Sequence, residues 1–119
     1  MADRTLYMVF SNPLEGRDDE FNAWYDTVHV RDVLAVPGMV SAQRYDLRDT
    51  EMYRAAGGGA HRYCVVYEMD GDPDVVMAKV RESVASGAMV MHEALDLRSV
   101  SMSFWSPRGP QVRSSGAGA

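Results

Sequence analysis

From Thr5 to Ser11 the chain reads Thr-Leu-Tyr-Met-Val-Phe-Ser, a β-branched and aromatic run closed by Asn12-Pro13, which predicts a strand ended by a turn. Acidic residues then gather ahead of apolar ones in Asp18-Asp19-Glu20-Phe21, as the positive end of a helix dipole favours. At about 100° per residue, Phe21, Trp24, Tyr25 and Val28 share one face, so 17–29 is expected to form an amphipathic helix. Beyond His29 the stripe loses phase, because Val30, Val33, Leu34 and Val36 lie elsewhere on the wheel. A bend or separate short turn is expected near Val30, before Pro37-Gly38 ends the segment.

Residues 39–48 alternate weakly and predict a second strand, and 49–60, with Gly57-Gly58-Gly59, a flexible connection of hairpin type. The run Tyr63-Cys64-Val65-Val66-Tyr67 marks a third strand over 61–69. Asp72-Pro73 supplies an N-cap and a proline at the first helical position; Val76, Val80 and Val84 follow at helical spacing, and Gly87 closes the second helix. After an irregular stretch over 88–93, residues 97–105 alternate, with Val100, Met102 and Phe104 on one face and Ser99, Ser101 and Ser103 on the other. Pro, Gly and Ser then dominate, so a folded domain is expected over 1–108 and a flexible C-terminal tail over 109–119.

The order βαββαβ predicts an α+β, ferredoxin-like domain: a four-stranded antiparallel sheet with two helices on one face. Both faces of that sheet carry apolar side chains, since Tyr63, Val65, Tyr67 and Met69 alternate with Cys64 and Val66. The face without helices needs a cover. A homodimer with the two sheets face to face, a dimeric α+β barrel with room for a ligand, is the expected solution.

Composition narrows the function. At 119 residues the chain is one domain, and 46% hydrophobic with 24% charged residues is ordinary for a globular protein. No apolar run approaches the roughly 18 residues of a membrane span, and the first residues lead into a strand without an apolar leader; no membrane association and a cytoplasmic location are expected. Twelve basic against seventeen acidic residues give a net charge of −5 without a block of Lys or Arg, which argues against nucleic acid as a partner. Cys64 is the single cysteine, and His29, His61 and His92 sit on separate segments with no ligand spacing, so no metal is expected.

The densest group of chemistry-bearing residues is Trp24-Tyr25-Asp26-Thr27-Val28-His29. A histidine titrating near neutrality suits a general acid or base, and a carboxylate one turn away could fix its tautomer; Asp26 and Asp32, at i−3 and i+3, are both placed for that. The same histidine also suits a helix C-terminal cap, and Trp24 and Tyr25 suit the core. Tyr45 and Tyr67 are strand tyrosines whose hydroxyls need partners if buried, and Met89 and Met91 could form an adaptable apolar wall.

The stretch Asn12-Pro13-Leu14-Glu15-Gly16-Arg17-Asp18-Asp19-Glu20-Phe21-Asn22, then Trp24 to His29, then Val33-Leu34-Ala35-Val36-Pro37-Gly38, resembles the EthD-like branch of the dimeric α+β barrel superfamily. So does Ser86-Gly87-Ala88-Met89-Val90-Met91 leading into Ser101-Met102-Ser103-Phe104-Trp105, and the likeness spans 5–108. It implies a homodimer and a cofactor-free site for an apolar or aromatic small molecule between helices and sheet. Related branches include cyclases, isomerases, dehydratases and quinone-forming monooxygenases, in which a helix histidine is often the acid or base. That histidine corresponds to His29; the family usually has proline two residues later, where this chain has Arg31.

The resemblance and the residues together predict an enzyme of proton transfer on a flat carbonyl compound, of isomerase, cyclase or dehydratase type. His29 would be the base, Asp26 its orienter, and Tyr25, Tyr45 or Tyr67 the donor to a developing oxyanion; Trp24, Met89, Met91 and Trp105 would wall the pocket. The alternatives are a non-catalytic binding or accessory protein and a cofactor-free quinol monooxygenase.

Overall fold

The computed structural model describes residues 4–115. Four antiparallel strands, β1 (Arg4–Ser11), β2 (Met39–Asp46), β3 (Tyr63–Asp70) and β4 (Ser101–Trp105), form one sheet in the order β2-β3-β1-β4. The chain between β1 and β2 is mostly helical, and α3 (Pro73–Ala85) joins β3 to β4. This is the βαββαβ order of a ferredoxin-like α+β fold, with each long connection passing over a neighbouring strand.

The first connection holds α1, built of three consecutive segments: α-helical Asp18–Trp24, a π-helical turn Tyr25–His29 and α-helical Val30–Leu34. In that turn the Val30 N–H donates to the Tyr25 carbonyl five residues back. The Thr27 hydroxyl donates to the Ala23 carbonyl at 2.6 Å, occupying an acceptor beside the widened turn. The expected break near Val30 is thus one extra residue inside a continuous helix, and it shifts the buried stripe by one position. Val28, expected inward, is 45% exposed, while His29 is 7% and Val33 3% exposed.

Two further expectations are corrected. The connection after β2 is not wholly irregular: α2 (Glu51–Ala55) starts where the Thr50 side chain accepts from the Tyr53 N–H at 3.0 Å. The last strand starts at Ser101 rather than Leu97, because Asp96 caps a 3-10 turn over Leu97–Ser99 by accepting from the Arg98 N–H. From 106 to 115 the chain is exposed and outside any helix or strand; residues 116–119 of the expected tail lie outside the described residues.

On the helix side of the sheet, Tyr7 and Val9 of β1 lie opposite Tyr67 and Val65 of β3 and, on the other flank, Phe104 and Met102 of β4. Phe21, Tyr25 and Val33 of α1 and Val76 of α3 complete the core with Met69. Gly38 permits the close approach of α3: it has φ +103°, and a Cβ there would lie 2.5 Å from Val76 Cγ2. Val76 is buried, whereas Val84, two turns on, is exposed, so the apolar stripe of α3 runs from the core out to an opening. The other sheet face carries Leu6, Met8, Phe10, Cys64 and Val66, with Tyr45 and Trp105 at its margins, all partly or largely accessible. Among the described residues no helix is long and apolar enough to cross a membrane.

Candidate active site

Between the sheet and the two long helices lies a cavity of about 650 Å³. Its floor includes Tyr67 and Tyr7, opposite one another by cross-strand register with ring centroids 5.4 Å apart, and Phe104 stacks on Tyr7 at 4.9 Å outside the lining. Tyr25, His29 and Val33 of α1 line one wall, Met77, Val80 and Val84 of α3 another, and Met89, Met91 and Met102 fill the remainder. A cavity this size, mostly apolar with a few convergent polar groups, suits a small organic ligand.

His29 enters this wall because the π turn adds a residue; a regular helix would carry the stripe through Val28. Trp24 holds the imidazole face to face at 4.5 Å and Tyr25 meets it edge-on at 5.0 Å. Burial among these rings lowers the imidazole pKa from 6.5 to about 4, opposed only by the Asp32 carboxylate, so His29 is neutral at neutral pH. Its Nδ1 is buried and has no hydrogen-bond partner among the described residues.

The three phenols of the cavity are held protonated. Burial, and then the neighbouring Tyr25 hydroxyl, push Tyr7 up to about 12. The same two causes, with Tyr7 added, raise Tyr67 further. Burial raises Tyr25 as well, against the opposing pull of Arg44 and of Ser11, whose hydroxyl is hydrogen-bonded to it. Tyr7 donates to Met102 Sδ at 3.4 Å. The Tyr67 hydroxyl is buried without a partner among the described residues. His29 and Tyr67 thus line one apolar space, while the His29 Nδ1 and the Tyr67 hydroxyl, both fully buried, have no partner among the described residues, and buried polar groups left so are costly.

The structure brings together only some of the expected site residues. His29, Tyr25, Tyr67, Met89 and Met91 line the cavity. Trp24 does not, and acts on it through the His29 stack. Asp26 is turned away: its carboxylate accepts from Arg44 Nη1 at 2.8 Å on the outer flank of α1, so it does not orient His29, and Asp32 is the carboxylate that acts on the imidazole. Arg44 also donates to Asn22 at 2.9 Å and lies 4.5 Å from the Tyr25 ring centroid, fixing that ring from behind. Tyr45 and Trp105 project from the opposite sheet face, because Tyr45 pairs with Cys64 and Trp105 with Leu6.

Sequence reasoning missed Tyr7, Ser11 and Arg81, which also line the cavity. For Tyr7 the usable signal was its parity with Val9 on β1; Arg81 gave none until α3 was placed over the sheet. Among the described residues, no group of three or more His, Cys, Asp or Glu is placed to hold a metal ion.

No protein-family model matches the chain, and none of the curated proteins is similar to it in sequence. Solved structures do share its fold. A putative monooxygenase from Shewanella loihica PV-4 aligns over 96% of this chain and 99% of its own, with TM-score 0.59 and 14% identity. An ethyl tert-butyl ether degradation (EthD) family protein from Bacillus halodurans C-125 aligns over 90% of this chain and 99% of its own, with TM-score 0.60 and 17% identity. The chain therefore has the α+β, ferredoxin-like fold of these proteins, as its resemblance to the EthD-like branch led us to expect.

Proposed function

We propose that this protein is a small-molecule enzyme that moves a proton on a flat, largely apolar carbonyl compound, as an isomerase, cyclase or dehydratase does, without a cofactor. The observation that carries the reading is the neutral imidazole of His29 and the protonated phenol of Tyr67 lining one largely apolar cavity. The His29 imidazole accepts a proton from the carbon beside the substrate carbonyl. As electron density moves to the carbonyl oxygen, the Tyr67 O–H donates to it. The resulting imidazolium is disfavoured by burial, but the enolate beside it and the Asp32 carboxylate offset that cost. The proton then returns to another carbon, or to a departing hydroxyl in a dehydration. Tyr25, backed by Arg44 and tied to Ser11, keeps the wall rigid.

The test uses 2-tetralone in deuterated buffer, with exchange of its α-hydrogens followed by proton NMR. The protein accelerates exchange, and His29→Ala reduces the enzymic rate by about 10²-fold or more, the usual contribution of a general base. Full exchange in His29→Ala overturns the assignment, and saturable quenching of tryptophan fluorescence by tetralone without exchange points to a binding protein. A second reading, a cofactor-free monooxygenase acting on an electron-rich quinol, is supported by the fold shared with the putative monooxygenase from Shewanella loihica. It predicts oxygen uptake with 1,4-dihydroxynaphthalene.

A homodimer belongs to the same proposal. The sheet face of Leu6, Met8, Phe10 and Val66 has no helix over it, and a second copy packed face to face would cover it without obstructing the cavity on the helix side.

A further inference from the structure

The cavity lining contains no carboxylate, although the chain has seventeen acidic residues and a net charge of −5. Its one charged side chain is Arg81, on α3. Among the described residues Arg81 has no hydrogen bond or ion pair; Arg4, Arg17, Arg44, Arg54 and Arg62 are each paired with a carboxylate, and of the arginines without an ion pair Arg81 is the one that lines the cavity. The helix offers it none, since the positions three and four residues away are Met77, Ala78, Val84 and Ala85. Arg81 is exposed, as are Val84 and Met102 beside the same opening, whereas His29 and Tyr67 are 7% and 1% exposed. The cavity is therefore polarised along its depth: an uncompensated cation at the mouth, an apolar middle, and the imidazole of His29 and phenol of Tyr67 at the inner end.

We propose that the ligand is an aromatic or polycyclic anion, with a carboxylate or equivalent acidic substituent held by Arg81 at the mouth and a hydroxyl or carbonyl at its other end met by His29 and Tyr67. The proposal rests on the reading of the cavity as the active site and adds to it the charge and polarity pattern of the substrate. A guanidinium recognises a carboxylate through two parallel N–H donors, and beside apolar walls that pairing is stronger than in open water. Its position at the opening also favours capture of an anion by a chain that otherwise repels one.

The probe is 6-hydroxy-2-naphthoate, compared with its methyl ester and with 2-naphthoate, titrated into the full chain by calorimetry. The acid is expected to bind about fivefold to tenfold more tightly than the ester, the range of a partly exposed to partly buried charge pair. Arg81→Gln, a change on an exposed helix face, abolishes that preference while leaving ester affinity unaltered. Tyr67→Phe weakens 6-hydroxy-2-naphthoate but not 2-naphthoate. Equal affinity for acid and ester, a preference that survives Arg81→Gln, or no saturable binding of the acid overturns the proposal. These outcomes are independent of turnover, so equal affinity of the wild-type chain for acid and ester with His29-dependent exchange intact refutes the anion alone. Loss of exchange with the preference intact refutes the base alone.

Discussion

Acid should destabilise this protein through His29 in a way a single substitution removes. The unfolded chain protonates this imidazole near pH 6.5, and the folded chain only near pH 4, because charging it in place costs desolvation against Trp24 and Tyr25. Between those values the unfolded state binds the extra proton, so stability rises with pH across that window. The contribution is complete above pH 6.5 and is lost as the pH falls toward 4. A gap from 6.5 to about 4, at about 1.4 kcal/mol per pH unit, corresponds to about 3 kcal/mol.

The measurement is urea unfolding of the wild-type chain and of His29→Gln at one fixed protein concentration, at several pH values from above 6.5 down to about 4. Asp18 and Glu20, whose carboxyls the guanidiniums of Arg62 and Arg17 hold below the usual range, also lose stabilising pairs as pH falls. Both forms keep these residues, so their effect cancels in the difference. The wild-type advantage over His29→Gln should shrink by about 3 kcal/mol across the window. A difference that stays constant with pH would show that His29 titrates alike in both states, and would remove the ground for a buried neutral base. The stack supplies an independent check: an imidazolium against Trp24 should quench its fluorescence in the folded protein, with a midpoint near pH 4.

Tyr67→Phe should stabilise the ligand-free protein by about 1 kcal/mol, because it deletes a buried hydroxyl without a partner, while slowing tetralone exchange; a loss of stability in urea would mean that the hydroxyl has a partner after all. Deleting Thr27 should return 25–29 to regular α-helix, keeping the apolar stripe in phase but moving His29 along the wall; circular dichroism should show an intact fold and exchange should fall about 10²-fold. Arg44→Ala should cost about 1–2 kcal/mol by denaturation, through loss of the cation over Tyr25 and of the hydrogen bonds to Asn22 and Asp26, and a neutral result would refute its bracing role. The proposed homodimer predicts that Met8→Glu, in the middle of the uncovered sheet face, halves the mass seen by light scattering; a wild-type monomer would refute the dimer, and an unchanged mutant mass would refute this interface.

The sheet was legible because period-two alternation between Asn, Pro and Gly punctuation admits few other readings, and it assigned β1 and β3 within a residue or two of their ends. The site was less so, for reasons that can be named. Trp105 was within reach: once Met102 and Phe104 share a face, the next residue must point the other way, and Leu6 opposite it confirms the parity. Tyr45 needed the register with Cys64, which no local pattern supplies. Asp26 and Val28 failed together, because a 3.6-residue wheel cannot represent the extra residue of the π turn; that residue rotates Asp26 toward Arg44 on β2 and replaces Val28 by His29 at the wall. The loss of phase after His29 was therefore the informative signal, although it suggested a break in the chain. A regular helix would have buried a valine in a finished core. The irregular one gives up that hydrophobic contact and sets the His29 imidazole in the cavity wall, a local irregularity of the kind that binding and catalytic sites retain.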